Sequence, residues 1–401
     1  MVHECASQPW KGLYLGYEIV STVFIRVPLW TLRYMWPFMR PYTSWTWDYA
    51  VKVELLRRLS FISSVVGGII PMPDWRAIVP AAGVEGVWIE GVPQLVTAEL
   101  KLWASVSNVT AERIPGYWYG KKGISPKPAT PPKRGEKVFY CLHGGGFVQM
   151  SAHPKDYPAN LTCDLVELDG STPHALALEY RLSATRPLPD QNPFPAALLD
   201  ALAGYHYLVN VMCYDPSNII LTGDSAGGNL ALALTRYLVE SKGCPNVSLP
   251  GPPGQLLLLS PWTDLGSSHD WPGSSTLANT KDYLVYHDAG RSLYSKLAYL
   301  GPYGLGFASF NRFISPASLH PCARTSFVGF PRTFVAVGSA ERFLDPIRTL
   351  RDKMVADLGD KPQNGLTYYE AKDAIHDFLI FPWFPSRSVV LKTIQQWLVQ
   401  Y

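Results

Sequence analysis

Apolar positions fall into short runs that recur from about residue 138 to the end of the chain. VFYCL (138–142), ALALEY (175–180), NIILTG (218–223), QLLLLS (255–260), TFVAVG (333–338) and LTYYEA (366–371) each have the length and residue types of one strand. Between several of them lie longer segments with helical character: PAALLDALAGYHYLVNVM (195–212), GGNLALALTRYLVESK (227–242) and SRSVVLKTIQQWLVQY (386–401). Strands alternating with helices predict an α/β fold, a mostly parallel sheet covered on both faces with its site at the carboxyl ends of the strands. From about Leu265 to Phe330 the alternation stops and Gly, Ser, Pro and aromatic residues dominate, with a helical stretch around Asp288–Tyr299. This interval (265–330) predicts an inserted cap that shapes a pocket over the strand ends. The Pro- and Lys-rich segment 121–137 predicts a surface loop.

The amino-terminal region has a different pattern. From Leu13 to Trp36 the chain is apolar and aromatic, yet Glu18, Arg26 and Arg33 interrupt it, leaving no clean stretch of about 20 residues to cross a bilayer. At about 100° per residue, Lys11, Glu18, Thr22, Arg26 and Arg33 share roughly a quarter of a helical wheel, opposite a wide apolar face. Pro28 predicts a kink or a split. Two roles fit this amphipathic pattern: a segment lying in a membrane interface through residues 13–36, or a cap helix packed on the rest of the chain. Residues 1–61 are therefore read as an amphipathic helical region and 62–401 as the main domain. The start MVHECASQPWKG lacks the basic region, apolar run and small-residue site of a cleaved signal peptide. The expected location is membrane-associated, as at the endoplasmic reticulum, or cytoplasmic.

Composition narrows the partners. With 47% hydrophobic and 17% charged residues the chain is neither disordered nor a multi-span membrane protein. A formal charge of +3 without a Lys/Arg run makes nucleic acid an unexpected partner. The six cysteines are scattered, with no CxxC pair and no histidine at metal-ligand spacing, so no metal is expected.

The chemistry is carried by glycine-rich turns. Gly223-Asp224-Ser225-Ala226-Gly227 fits G-x-S-x-G, follows a predicted strand and opens a predicted helix, the setting in which a serine hydroxyl is projected above a sheet. His143-Gly144-Gly145-Gly146 directly follows the strand VFYCL. Three glycines let backbone N–H groups converge on one point, as stabilisation of a developing oxyanion requires. Gly145 and Gly146 are the expected donors, with Ala226 the third, while His143 and Gly144 organise the loop. A base should follow a late strand. His269, His287 and His320 fall in the presumed cap, whereas His376 comes shortly after LTYYEA. The acid is expected after TFVAVG, where Glu341 comes first and is favoured; Asp345, four residues on, is the alternative. Ser225, His376 and one of these carboxylates would form a nucleophile, base and acid.

HGGGF, EYRL with PFPAALLDAL, GDSAGGNLALAL, LLLLSPWTDL and HDF together resemble the hormone-sensitive-lipase-like family of α/β-hydrolases, which includes arylacetamide deacetylases. The resemblance covers about Val138 to the C-terminus. It implies a serine carboxyl-ester hydrolase that forms an acyl-enzyme and needs no cofactor, with a cap built from the N-terminal region and an insertion. The family usually has Asp at the first acid position, where this chain has Glu341, with a second Asp matching Asp345. The N-terminal stretch resembles that of fungal steryl-acetyl-hydrolase-type relatives. The expected substrate is a small acyl ester of an apolar alcohol. Transfer of the acyl group to an alcohol, or a receptor role without catalysis, are the alternatives.

Overall fold

Strands covered on both faces have no polar side to show, which explains why the central runs of this chain are apolar almost without alternation. The computed structural model describes residues 5–67, 73–123, 130–168, 170–244, 247–285, 291–361 and 363–400. Its sheet has eight strands: β1 (Val84–Ile89), β2 (Ile114–Gly120), β3 (Val138–Leu142), β4 (His174–Leu178), β5 (Ile219–Asp224), β6 (Gln255–Leu259), β7 (Arg332–Gly338) and β8 (Leu366–Ala371). Their order is β1-β2-β4-β3-β5-β6-β7-β8. β2 runs antiparallel to both of its neighbours, and every other pairing is parallel.

Side chains still alternate between two cores. Tyr140, Leu142, Leu178, Leu221, Leu258 and Val335 face one side, with the helices Ala196–His206 and Ser225–Glu240. Phe139, Cys141, Ala177, Ile220, Leu257 and Phe334 face the other, with the helices Pro158–Leu168 and Arg387–Val399. Each of the six strands expected from the apolar runs is present, with ends displaced by at most two residues. The expected helix 195–212 is α-helical only to His206 and continues as a π-helical turn, Tyr207–Val211. β1, β2 and the helix Ala98–Val106 have no counterpart in the sequence reading. Pro115, Gly116 and Gly120 lie inside β2, where a propensity argument reads a break. The pairing with β1 and β4 decides otherwise.

Between β6 and β7 the interval 265–330 holds the short helices Ser275–Ala278, Arg291–Leu300 and Gly304–Ala308, joined by turns. His287 and part of the 121–137 segment lie outside the described residues.

In the N-terminal region, an α-helix (Trp10–Ser21), a π-helical turn (Thr22–Arg26) and a second α-helix (Val27–Tyr34) precede the long helix Trp47–Val66. Pro28 has no N–H to donate, and the helix departs from α geometry just before it. Part of the polar stripe faces inward. Glu18 is 1% exposed and accepts from Arg26 Nη1 at 3.0 Å and from Arg58 Nε, on the long helix, at 2.8 Å. The apolar face points outward: Leu13, Tyr17, Val20, Phe24 and Leu32 are all exposed.

One buried ion pair ties β4 to the neighbouring helix. Arg181 donates to Asp200 through Nε (2.9 Å), Nη2 (2.7 Å) and its backbone N–H (2.9 Å), and both residues are buried. Removing one partner strands the other charge out of water. Asp200→Ala should therefore destabilise the protein by about 3–5 kcal/mol, read from the midpoint of denaturant unfolding.

Candidate active site

β5 ends at Asp224 and the next helix begins at Ser225, so the chain reverses within a single residue step. Ser225 takes a φ of 49°, a left-handed conformation that typically costs a side-chain-bearing residue about 1–3 kcal/mol. The flanking glycines make the turn sterically admissible. A Cβ on Gly223 would lie 2.3 Å from the Gly227 carbonyl oxygen, and one on Gly227 would lie 2.0 Å from that of Leu142. Any larger residue at either position would force the elbow apart.

The loop after β8 brings His376 to this elbow. His376 Nε2 lies 2.9 Å from Ser225 Oγ, and Nδ1 lies 3.0 Å from Glu341 Oε2. The other Glu341 oxygen accepts from the Gly338 N–H at 3.1 Å, fixing the carboxylate to the end of β7. The three side chains thus come from the carboxyl ends of β5, β7 and β8. Asp345 is engaged elsewhere: it sits in the first turn of the helix Leu344–Leu358, accepts from the Ser275 N–H at 2.7 Å and faces Arg348 at 3.5 Å. The structure therefore sets Glu341, and not Asp345, against the imidazole.

Two residues that pattern reading missed adjoin this chain of hydrogen bonds. Asp282, in the interval between β6 and β7, accepts from the His376 backbone N–H at 3.1 Å and from the Arg342 N–H at 3.0 Å, joining the loop of His376 to the turn of Glu341. An isolated aspartate in an irregular interval carries no periodic signal. Asp377 places Oδ2 3.0 Å from His376 Nε2, the nitrogen that also faces Ser225. Its only sequence signal is its place immediately after the histidine.

The site is dry. Ser225 is 6% exposed, His376 1% and Glu341 0%. Burial pushes the Glu341 carboxyl up to about 7 even though His376 opposes the shift. Burial alone would depress His376, but the carboxylates of Asp377 and Glu341 outweigh it and hold the imidazole well above its ordinary value. The edge of Phe343 faces the His376 ring with centroids 4.9 Å apart, and Trp262 stacks on Phe343 at 5.8 Å.

The glycine loop after β3 lies beside the elbow. Gly145 and Gly146 have φ of 104° and 64°, conformations that favour glycine. His143 Nδ1 is 2.8 Å from the Gly144 carbonyl oxygen, and the ring stacks on Tyr180 at 4.2 Å. The Tyr180 hydroxyl donates to the His143 carbonyl oxygen at 2.6 Å. Burial depresses His143 to about 4, so it is neutral near pH 7 and braces the loop. Ala226 is the second residue of the helix that begins at Ser225. A Cβ on Gly146 would lie 2.8 Å from Ser295 Oγ of the cap helix, so the loop is closed in from above. The other described histidines of the cap interval are engaged elsewhere: His269 lies 2.7 Å from Asp264 and 2.9 Å from Thr349, and His320 accepts from the Cys322 N–H at 3.2 Å.

Comparison with known proteins gives the family. The profile of the family described as alpha/beta hydrolase fold matches residues 139–380. An acetyl-hydrolase of Streptomyces hygroscopicus is 28% identical over 261 residues, 63% of this chain and 71% of that protein. Neutral cholesterol ester hydrolase 1 of Mus musculus is 36% identical over 115 residues, only 27% of this chain and 25% of that protein. A hormone-sensitive lipase from a metagenome library superposes with a TM-score of 0.54 at 24% identity, covering 79% of this chain and 86% of the other, a likeness of fold. With a matched profile over more than half of its length, the chain belongs to the α/β-hydrolase fold family.

Proposed function

We propose that this carboxylic-ester hydrolase works through an acyl-enzyme on Ser225 and acts on small acyl esters of apolar alcohols. The observation that carries the reading is the unbroken hydrogen-bond chain Ser225–His376–Glu341. Ser225 Oγ attacks the ester carbonyl carbon as its proton passes to His376 Nε2, and the carbonyl π electrons move onto oxygen. Glu341 keeps the other ring nitrogen protonated and stabilises the imidazolium. The backbone N–H groups of Gly145, Gly146 and Ala226 stabilise the oxyanion. His376 then protonates the leaving alcohol, and water, activated by the same base, releases the acid. The intact chain favours hydrolysis over a binding-only role. Aromatic walls at Phe343 and Trp262, and relatives named for acetyl and cholesteryl ester hydrolysis, support the apolar alcohol.

We further infer that the enzyme meets its substrate at a lipid surface, through the N-terminal helices. Fourteen large apolar side chains between Trp10 and Met39 are exposed. They amount to on the order of 1000 Å² of apolar surface, well beyond the few hundred typical of a monomer's largest patch. At about 25 cal/mol per Å² that is on the order of 25 kcal/mol unrealised in water. Among the described residues no helix is long and apolar enough to cross a membrane. An interfacial position suits a helix whose ion pair faces the protein and whose apolar face does not. Residues 1–61 carry seven Lys and Arg against four Asp and Glu, the +3 of the whole chain, which favours anionic lipid.

Ser225→Ala should abolish both p-nitrophenyl acetate hydrolysis and labelling by an organophosphonate, and persistence of either would overturn the mechanism. Glu341→Gln should lower kcat/KM by about 10³–10⁴-fold, whereas Asp345→Asn should change it less than about threefold. The full chain should float with phosphatidylcholine–phosphatidylserine vesicles, and the Phe24→Glu, Leu29→Glu double variant should lose at least about tenfold in bound fraction. Protein that stays in the aqueous layer, or that hides this face in a stable dimer, would count against the lipid surface.

A further inference from the structure

Four buried carboxyl groups crowd one imidazole, and the reaction outlined above uses only one of them. Glu341 faces Nδ1 and has both oxygens occupied. Asp282 takes three backbone N–H groups, from His376, Arg342 and Tyr283. Asp224 and Asp377 differ. Asp224 Oδ2 and Asp377 Oδ1 have no hydrogen-bond partner among the described residues, although both residues are nearly fully buried. The remaining Asp377 oxygen lies 3.0 Å from His376 Nε2, almost the same distance as Ser225 Oγ at 2.9 Å.

That nitrogen cannot serve both oxygens in one protonation state. A neutral imidazole whose Nδ1–H is given to Glu341 has a lone pair at Nε2, which accepts the Ser225 hydroxyl proton but repels a carboxylate. An imidazolium has an N–H there, which donates to the carboxylate but can accept nothing from serine. We propose that Asp377 is a positioning residue that competes with Ser225 for Nε2 of His376, and so sets the pH at which the triad acquires a base. The proposal rests on the serine-hydrolase reading above.

The backbone holds Asp377 in this place. It has a φ of 49°, left-handed like Ser225, a conformation that aspartate tolerates better than most residues. Its N–H donates to Ser260 Oγ at 3.2 Å, anchoring it to the end of β6. The charged and titratable groups around it are few. Asp224 approaches from β5, Glu341 from the turn after β7, and Asp282, with Arg342 beside it, from the cap side. Tyr283, whose ring centroid is 5.9 Å from that of His376, is buried and held well above its ordinary value, so it stays neutral. Burial and the neighbouring Asp377 both raise Asp224. Burial raises Asp377 as well, while the adjacent His376 opposes that shift and favours its carboxylate form.

The proton count then fixes the sign. At low pH the His376–Asp377 pair holds one proton, as imidazolium and carboxylate, and Ser225 has no base. Loss of that proton to solvent frees the lone pair, so kcat/KM rises with pH through a value above that of an ordinary imidazole. The same carboxylate makes His376 a stronger base once free, because it stabilises the imidazolium formed when the Ser225 proton moves. Removing its charge should lower the onset pH and also lower the alkaline plateau, so the two profiles cross.

The test is the pH dependence of kcat/KM for p-nitrophenyl acetate and of the inactivation rate by an organophosphonate, for the full chain and for Asp377→Asn. Asp377→Gly, which the positive φ admits, serves if the first variant folds poorly. The acid limb should move down by about 1–3 pH units, with higher activity than wild type below the crossing and lower activity above it. Loss of activity at every pH without movement of the limb would overturn the proposal and leave Asp377 a structural residue. Wild type that fails to label at Ser225 at any pH would instead overturn the serine-hydrolase reading itself.

Discussion

The site depends on three distant turns being held in register by parallel strands. Ser225, Glu341 and His376 are separated by 116 and 35 residues in sequence, yet two hydrogen bonds of 2.9 and 3.0 Å connect them. No local propensity achieves this. β5, β6, β7 and β8 lie side by side and run the same way, so their carboxyl ends form one edge from which all three side chains arise. The close backbone approaches at Gly223 and Gly227 belong to the same constraint, since they let the Ser225 elbow pack against the end of β3.

Burial then sets the electrostatics of that edge. In water four carboxylates around one histidine would be screened; here they are nearly fully enclosed, and their protonation states depend on one another. Asp282 and Glu341 have hydrogen-bond partners at both oxygens, which oppose the upward push of burial, while Asp224 has none at one oxygen. The position of Asp377 against Nε2 makes the proton inventory of the whole cluster part of the base's behaviour.

The N-terminal helices are coupled to the same loop. Ser44 Oγ donates to Asp373 Oδ2 at 2.6 Å and Trp45 Nε1 donates to the Asp373 carbonyl oxygen at 2.7 Å, three residues before His376. Tyr49 packs against Trp383 and Phe384 on the far side of that loop.

Strand runs, the glycine-flanked serine, the triple-glycine loop and the late histidine were legible because each is local: chemistry and backbone geometry demand those residue types within a few positions. By itself the sequence determined the α/β class, the elbow at Ser225 and the choice of His376, and it narrowed the acid to two residues. Only tertiary structure decided between Glu341 and Asp345, because that choice turns on which carboxylate the end of β7 aims at a loop 35 residues away. It alone placed Asp282 and Asp377 on the imidazole, added β1 and β2 despite their Pro and Gly, and turned the N-terminal ion pair inward. In each case the deciding force is a contact between segments far apart in the chain, to which residue spacing is blind.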